Sequence, residues 1–101
     1  MTVSLDEICD NVRHLSTAHG WDQTDPAVRM IHVTAEVGEV ADALRKLLAA
    51  PSADQDAARA DLGHEIFDVV WNLCALANAA GVDLEQAAVT KMAANAQRAW
   101  S

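Results

Sequence analysis

Residues 33–47 read VTAEVGEVADALRKL and residues 62–76 read LGHEIFDVVWNLCAL, on either side of a Pro51-Ser52 step. In the first stretch Val33, Val37, Val40, Leu44 and Leu47 recur at steps of four, three, four and three. Leu62, Ile66, Val69, Leu73, Leu76 and Ala80 keep the same alternation in the second. That spacing is the apolar stripe of a helix, and a proline between two such stripes forces a break. The pair predicts a central antiparallel helical hairpin.

Start and stop signals extend the reading in both directions. Asp25-Pro26 places an N-cap acid before a proline in the first helical position, so the first hairpin helix runs from there to about Ala49. Ser52 with Gln55 has the form of a capping box for the second, which Gly81 closes. Upstream, Ser4 and Glu7 form another capping box, followed by Leu5, Ile8, Cys9, Val12 and Leu15 at helical spacing until Gly20; residues 21–25 read as a loop. Asp83 and Gln86 open a last helix that runs nearly to the C-terminus, with Trp100 anchoring its final turn. The expectation is an all-α, four-helix bundle-like fold, a single domain over residues 1–101, with no repeats or interdomain linkers.

Composition sharpens the class. The hydrophobic share is 51%, but 21 of the 101 residues are alanine, which favours helix and contributes little apolar area per residue. So thin a core gains from burial between subunits. Aromatics make up 4%, there is no tyrosine, and β-branched residues are scattered, so no sheet is expected. A net charge of −8 without a basic stripe excludes nucleic-acid polymers and anionic membranes as partners. No apolar run approaches the roughly 20 residues that cross a bilayer. Cys9 and Cys74 fall at apolar helical positions and read as reduced, buried thiols in a cytoplasmic protein.

The chemistry lies in four acids. Glu36 and Glu39 each precede a stripe residue in one hairpin helix, and Glu65 and Asp68 do so in the other. One residue is about 100° of rotation, so both pairs are offset from their stripes in the same sense and come to one side of an antiparallel hairpin. Heights agree too: Glu39 with Glu65, and Glu36 with Asp68, are both centred on position 52. With axes about 8–10 Å apart, the four can converge on one cation. The alternative is a solvated acidic face. Against it, the i,i+3 acid pairs repel, and no Lys or Arg stands three or four residues from any of them. An all-oxygen ligand set suits Mg²⁺, or Mn²⁺, better than a soft metal. His32 and His64, one turn before Glu36 and Asp68, are candidate supports for the ligands.

Ala35-Glu36-Val37-Gly38-Glu39, then Glu65-Ile66-Phe67-Asp68, then Lys91, Asn95 and Arg98, resembles the MazG-like nucleotide pyrophosphohydrolases. Their pattern is Glu-Glu-x-x-Glu, a spacer, Glu-x-x-Asp, and a late Lys-x-x-x-Asn with a nearby basic residue. The first glutamate of that pattern is Ala35 here, which removes a supporting carboxylate and leaves the ligand set. The resemblance implies an oligomeric all-α enzyme, a homodimer or homotetramer, that converts nucleoside triphosphates to monophosphate and pyrophosphate in nucleotide-pool control. It implies Glu36, Glu39, Glu65 and Asp68 as metal ligands, and Lys91, Asn95 and Arg98 as phosphate and nucleotide contacts.

Glu36 or Glu39 is then the water activator, because a carboxylate beside a metal-bound water accepts its proton. Asn72 continues the Glu65–Asp68 side by one turn and either reaches a ribose or base edge or bonds locally. Trp21 is either a base-contacting aromatic, as in members acting on pyrimidine nucleotides, or a lid on the core. Trp71 and Phe67 are expected in the core or a subunit interface. A non-catalytic helical oligomerisation or regulatory module with a structural metal site is the rival reading; a phosphoribosyl-ATP pyrophosphohydrolase is a narrower one.

Overall fold

The computed structural model describes residues 1–98; Trp100 lies outside the described residues. Helix α1 spans Leu5–Ala18, α2 Pro26–Ala49, α3 Gln55–Ala80 and α4 Leu84–Gln97, with short 3₁₀ turns at Trp21–Gln23 and Ser52–Asp54, and among the described residues there are no strands. The fold is all-α, as expected.

Local chemistry accounts for most boundaries. The Ser4 hydroxyl accepts the Glu7 N–H, the Asp25 carboxylate accepts the Ala27 N–H, and the Asp83 carboxylate accepts the Gln86 N–H. Each satisfies a donor that the first helical turn leaves over. Gly81 ends α3 at φ 71°, and Val82 N–H returns to the Ala77 carbonyl at 2.8 Å. The capping box expected at Ser52 and Gln55 does not form. Ser52–Asp54 is a 3₁₀ turn, and α3 begins at Gln55 without a side-chain cap. The Gln55 amide instead donates to the Ala50 carbonyl across the turn.

Helices α2 and α3, roughly 35–40 Å long, form the hairpin, the most extensive helix pair in the chain; α1 packs on α3, and α4 on α1. Between α1 and α3 sits a small core of Cys9, Val12, Cys74 and Ala75, flanked by Ile8, Val70, Trp71 and Leu84. Asn78 ties the same helices, donating to the Cys9 carbonyl and accepting from Arg13. Burial, reinforced by contact with Cys9, pushes the Cys74 thiol up to about 12.

The hairpin seam differs from expectation by a rotation. On α2 the sheltered side is Val33, Glu36, Val40, Ala43 and Leu47; on α3 it is Ala58, Leu62, Glu65, Val69, Asn72 and Leu76. Val37, Leu44, Ile66 and Leu73, expected in the seam, are 42–52% exposed and form a second apolar stripe facing outward. Val33, Val40 and Leu47 on α2 and Leu62, Val69 and Leu76 on α3 stay sheltered as expected, with Ala43 and Ala58 beside them.

The single chain is open. Its radius of gyration is 16.2 Å, against about 13 Å for a compact domain of this length. α4 leaves α3 at 108°, and Leu48, Val89 and Met92 stand well exposed.

Candidate functional site

The rotated seam changes what the acids are. Glu36 and Glu65 lie in the interhelical seam, half-buried, instead of beside it, and Asp68 stands one turn from Glu65 at the exposed edge. One carboxylate oxygen from each of Glu36, Glu65 and Asp68 falls within 4.8 Å of the others. Glu39 is not part of this trio. It is near enough to act on Glu65 electrostatically and lines a neighbouring cavity of about 200 Å³ with Glu65, Asp61, His64 and Lys46.

Lys46 and Arg29 line the two cavities beside the acids, but neither pairs with them. Among the described residues no ion pair involves any of the four acids; the nearby Arg45 and Lys46 are both engaged by Asp42, at 2.9 and 3.1 Å, and hold its carboxyl below the ordinary range. Lost hydration, then repulsion from Asp68, Glu39, Glu36 and Asp61, raises Glu65 above the ordinary 4.5. Three oxygens that converge in a seam without a counter-charge fit a hard divalent cation, which takes carboxylate ligands and keeps part of its water shell. Glu36, Glu65 and Asp68 are the residues placed to hold it, with Glu39 alongside.

A second cavity, of about 300 Å³, opens on the other side of Glu36. Its walls include Trp21, Arg29, His32, Ala35, Trp71 and Asn72. Trp21 is 45% exposed, stacks on His19 with ring centroids 4.7 Å apart, and meets Trp71 edge-on at 6.4 Å. It forms a cavity wall and meets the core through Trp71. Asn72 bonds locally, its amide donating to the Asp68 carbonyl at 2.8 Å, while its side chain borders the cavity. Ala35 presents a methyl group where a carboxylate would add to the negative charge. His32 thus adjoins Glu36, and His64 adjoins Glu39 and Glu65, each through a different cavity.

Lys91, Asn95 and Arg98 are not brought to the acids. They lie on α4 and at its end, α4 packs on α1, and none of the three lines either cavity that borders the carboxylates. Phe67 is exposed, and Trp71 packs against the core while forming part of the cavity wall.

Sequence reasoning missed Arg29. It is only 6% exposed, lies one turn before Val33 on the sheltered side of α2, and donates through Nη2 to the Trp21 carbonyl at 2.9 Å. The available signal was a cation at i−4 from a seam valine, a position where a lone charge is costly to bury.

Residues 25–99 match the family model described as the MazG nucleotide pyrophosphohydrolase domain. No curated protein matches the chain.

Proposed function

From the premise that this chain belongs to the MazG nucleotide pyrophosphohydrolase family, we propose that it hydrolyses nucleoside triphosphates to monophosphate and pyrophosphate with Mg²⁺, or Mn²⁺, held by Glu36, Glu65 and Asp68. The observation that carries the reading is the trio of carboxylate oxygens within 4.8 Å at the border of a cavity walled by two indoles. Phosphates at the acids would place the rest of a nucleotide against the cavity wall that Trp21 and Trp71 form. An aromatic wall holds any base by its face, which makes this cavity the base site. Asn72, on its border, is positioned for the ribose or a base edge.

When bound, the divalent ion neutralises the polyphosphate and polarises the phosphoryl group under attack. Glu36 belongs to the convergent trio, whereas Glu39 stands beside it with no oxygen in the group. Glu39 is therefore the better placed of the two to accept a proton from the attacking water. Water adds to the α-phosphorus, its proton passes to the Glu39 carboxylate, and the bond from α-phosphorus to the bridging oxygen breaks to release pyrophosphate. Such a base contributes about 10²–10⁴-fold.

Lys91, Asn95 and Arg98 enter through assembly. An open chain with an outward apolar stripe and a splayed α4 is suited to a homodimer or homotetramer in which one subunit's α4 reaches the triphosphate held by another.

Pyrophosphate release from a panel of NTPs and dNTPs with Mg²⁺ or Mn²⁺ tests the proposal. Wild type should cleave at least one of them, and Glu39→Gln should lower kcat about 10²-fold or more. No cleavage of any nucleotide by wild type under either metal refutes it.

A further inference from the structure

Arg29 is a buried cation whose polar demands the described residues do not meet. A guanidinium carries five N–H donors in a fixed fork and stays charged. At Arg29 one hydrogen bond forms, from Nη2 to the neutral Trp21 carbonyl, and among the described residues no carboxylate pairs with it. Among the described residues its other nitrogens have no protein partner and no fully buried side-chain nitrogen lacks one. Arg29 lines two cavities: the one it shares with Trp71, Asn72 and Glu36, and a smaller one of about 120 Å³ behind Trp21. A donor fork held rigid and left unpaired beside two indoles is suited to an acceptor on a bound ligand.

The position selects which acceptor. Arg29 precedes Glu36 by two helical turns, roughly 10 Å along the axis. With phosphates at the Glu36 trio, that distance carries a nucleotide through its ribose to the base. The wall that Trp21 and Trp71 form takes one face of the base, and the guanidinium meets its edge. On the nucleotide reading given above, we infer that Arg29 hydrogen-bonds a ring carbonyl of the nucleobase, so that the site favours oxo-bases such as uracil and cytosine over adenine, which has no carbonyl. The same residue holds the Trp21 turn by its backbone, so wall and edge contact are set by one side chain.

Binding of product-like monophosphates tests this without requiring turnover. Quenching of tryptophan fluorescence in the full chain is titrated with UMP, CMP and AMP, for wild type, Arg29→Leu and Arg29→Lys. Arg29→Leu should weaken UMP and CMP by about 10–100-fold, the loss of a charge-assisted hydrogen bond, and AMP by less than about threefold. Arg29→Lys keeps the charge but not the fork and should weaken UMP by about fivefold; it carries the comparison if circular dichroism shows the leucine variant unfolded. Equal weakening of all three nucleotides would mean that Arg29 only holds the turn or meets a phosphate, and overturns the inference. So does unchanged binding, or no binding by wild type. Selective binding without pyrophosphate release would sink the hydrolase reading alone and leave the role of Arg29 standing.

Discussion

Replacing Glu36 by Gln should change the protein in opposite directions with and without a divalent ion. In chelator, the substitution removes one of three carboxylates whose oxygens lie within 4.8 Å in a half-buried seam, so the variant should melt above wild type. With Mg²⁺ at about 100 times its Kd, wild type gains about 2.7 kcal/mol by mass action, on the order of 10–20 °C in Tm for a domain of this length. Losing one of the three anionic ligands should weaken Mg²⁺ by at least about 10–100-fold. At the same Mg²⁺ concentration the variant then gains only about 0.4–1.4 kcal/mol, on the order of 2–11 °C and about half the wild-type shift or less. Glu39→Gln, outside the convergent trio, should keep most of the wild-type shift while losing turnover. Thermal melts of the three proteins in chelator and across a Mg²⁺ series measure all of this. An equal Mg²⁺ shift in wild type and Glu36→Gln would show that the trio does not hold the ion.

Two further outcomes follow from the same geometry. Because Glu65 is raised above 4.5, its contribution to stability is full below that pH and is lost as pH rises through the raised value. In chelator, the Tm advantage of Glu65→Gln over wild type should therefore be small near about pH 4 and grow toward pH 8; a difference that does not change with pH contradicts the raised carboxyl. On the outward stripe, Leu44→Asp with Leu48→Asp should shift the protein to a smaller species in light scattering, since a buried unpaired charge costs several kcal/mol at an interface. Wild type running as a monomer at micromolar concentration would remove the interface from consideration.

Helix limits were largely legible because short-range chemistry sets them. Ser4, Asp25-Pro26, Gly81 and Asp83 each satisfy or terminate backbone hydrogen bonding within four residues, and all four act as read. Ser52 failed because the tight turn after Pro51 uses a 3₁₀ geometry in which its side chain does not reach the Gln55 N–H. Part of the seam was misplaced, for a longer-range reason: Val33, Val40, Leu47, Leu62, Val69 and Leu76 are sheltered as read, and the other stripe residues are not. A periodicity read from bulky residues finds two apolar stripes on α2 and α3, and only the partner helix decides which one is sheltered. The helices met with Val33, Val40, Leu47, Leu62, Val69 and Leu76 between them, drawing Glu36 and Glu65 inward and leaving Val37, Leu44, Ile66 and Leu73 outside. The acids were found from their matching heights, which survive such a rotation. Glu39 was ranked equal to Glu36 because spacing does not distinguish a seam position from one beside it. Arg29 escaped because a single arginine in a helix ordinarily reads as surface. The direction of α4 depends on the Gly81–Asp83 corner, and so the distance of Lys91 from the acids was beyond any helical wheel.

The Cys9–Cys74 contact supplies a native clock for the attachment of α1. Thiol reagents consume the thiolate, and a sulfhydryl pushed up to about 12 is almost wholly protonated at neutral pH. Both sulfurs are buried where α1 lies on α3. Alkylation of Cys74, which is wholly buried, must therefore wait in the folded state for the first helix to lift. A labelling time course of Cys74 would count those excursions of α1 directly, without an introduced dye or a denaturant, and show whether nucleotide against Trp71, which borders the same core, slows them.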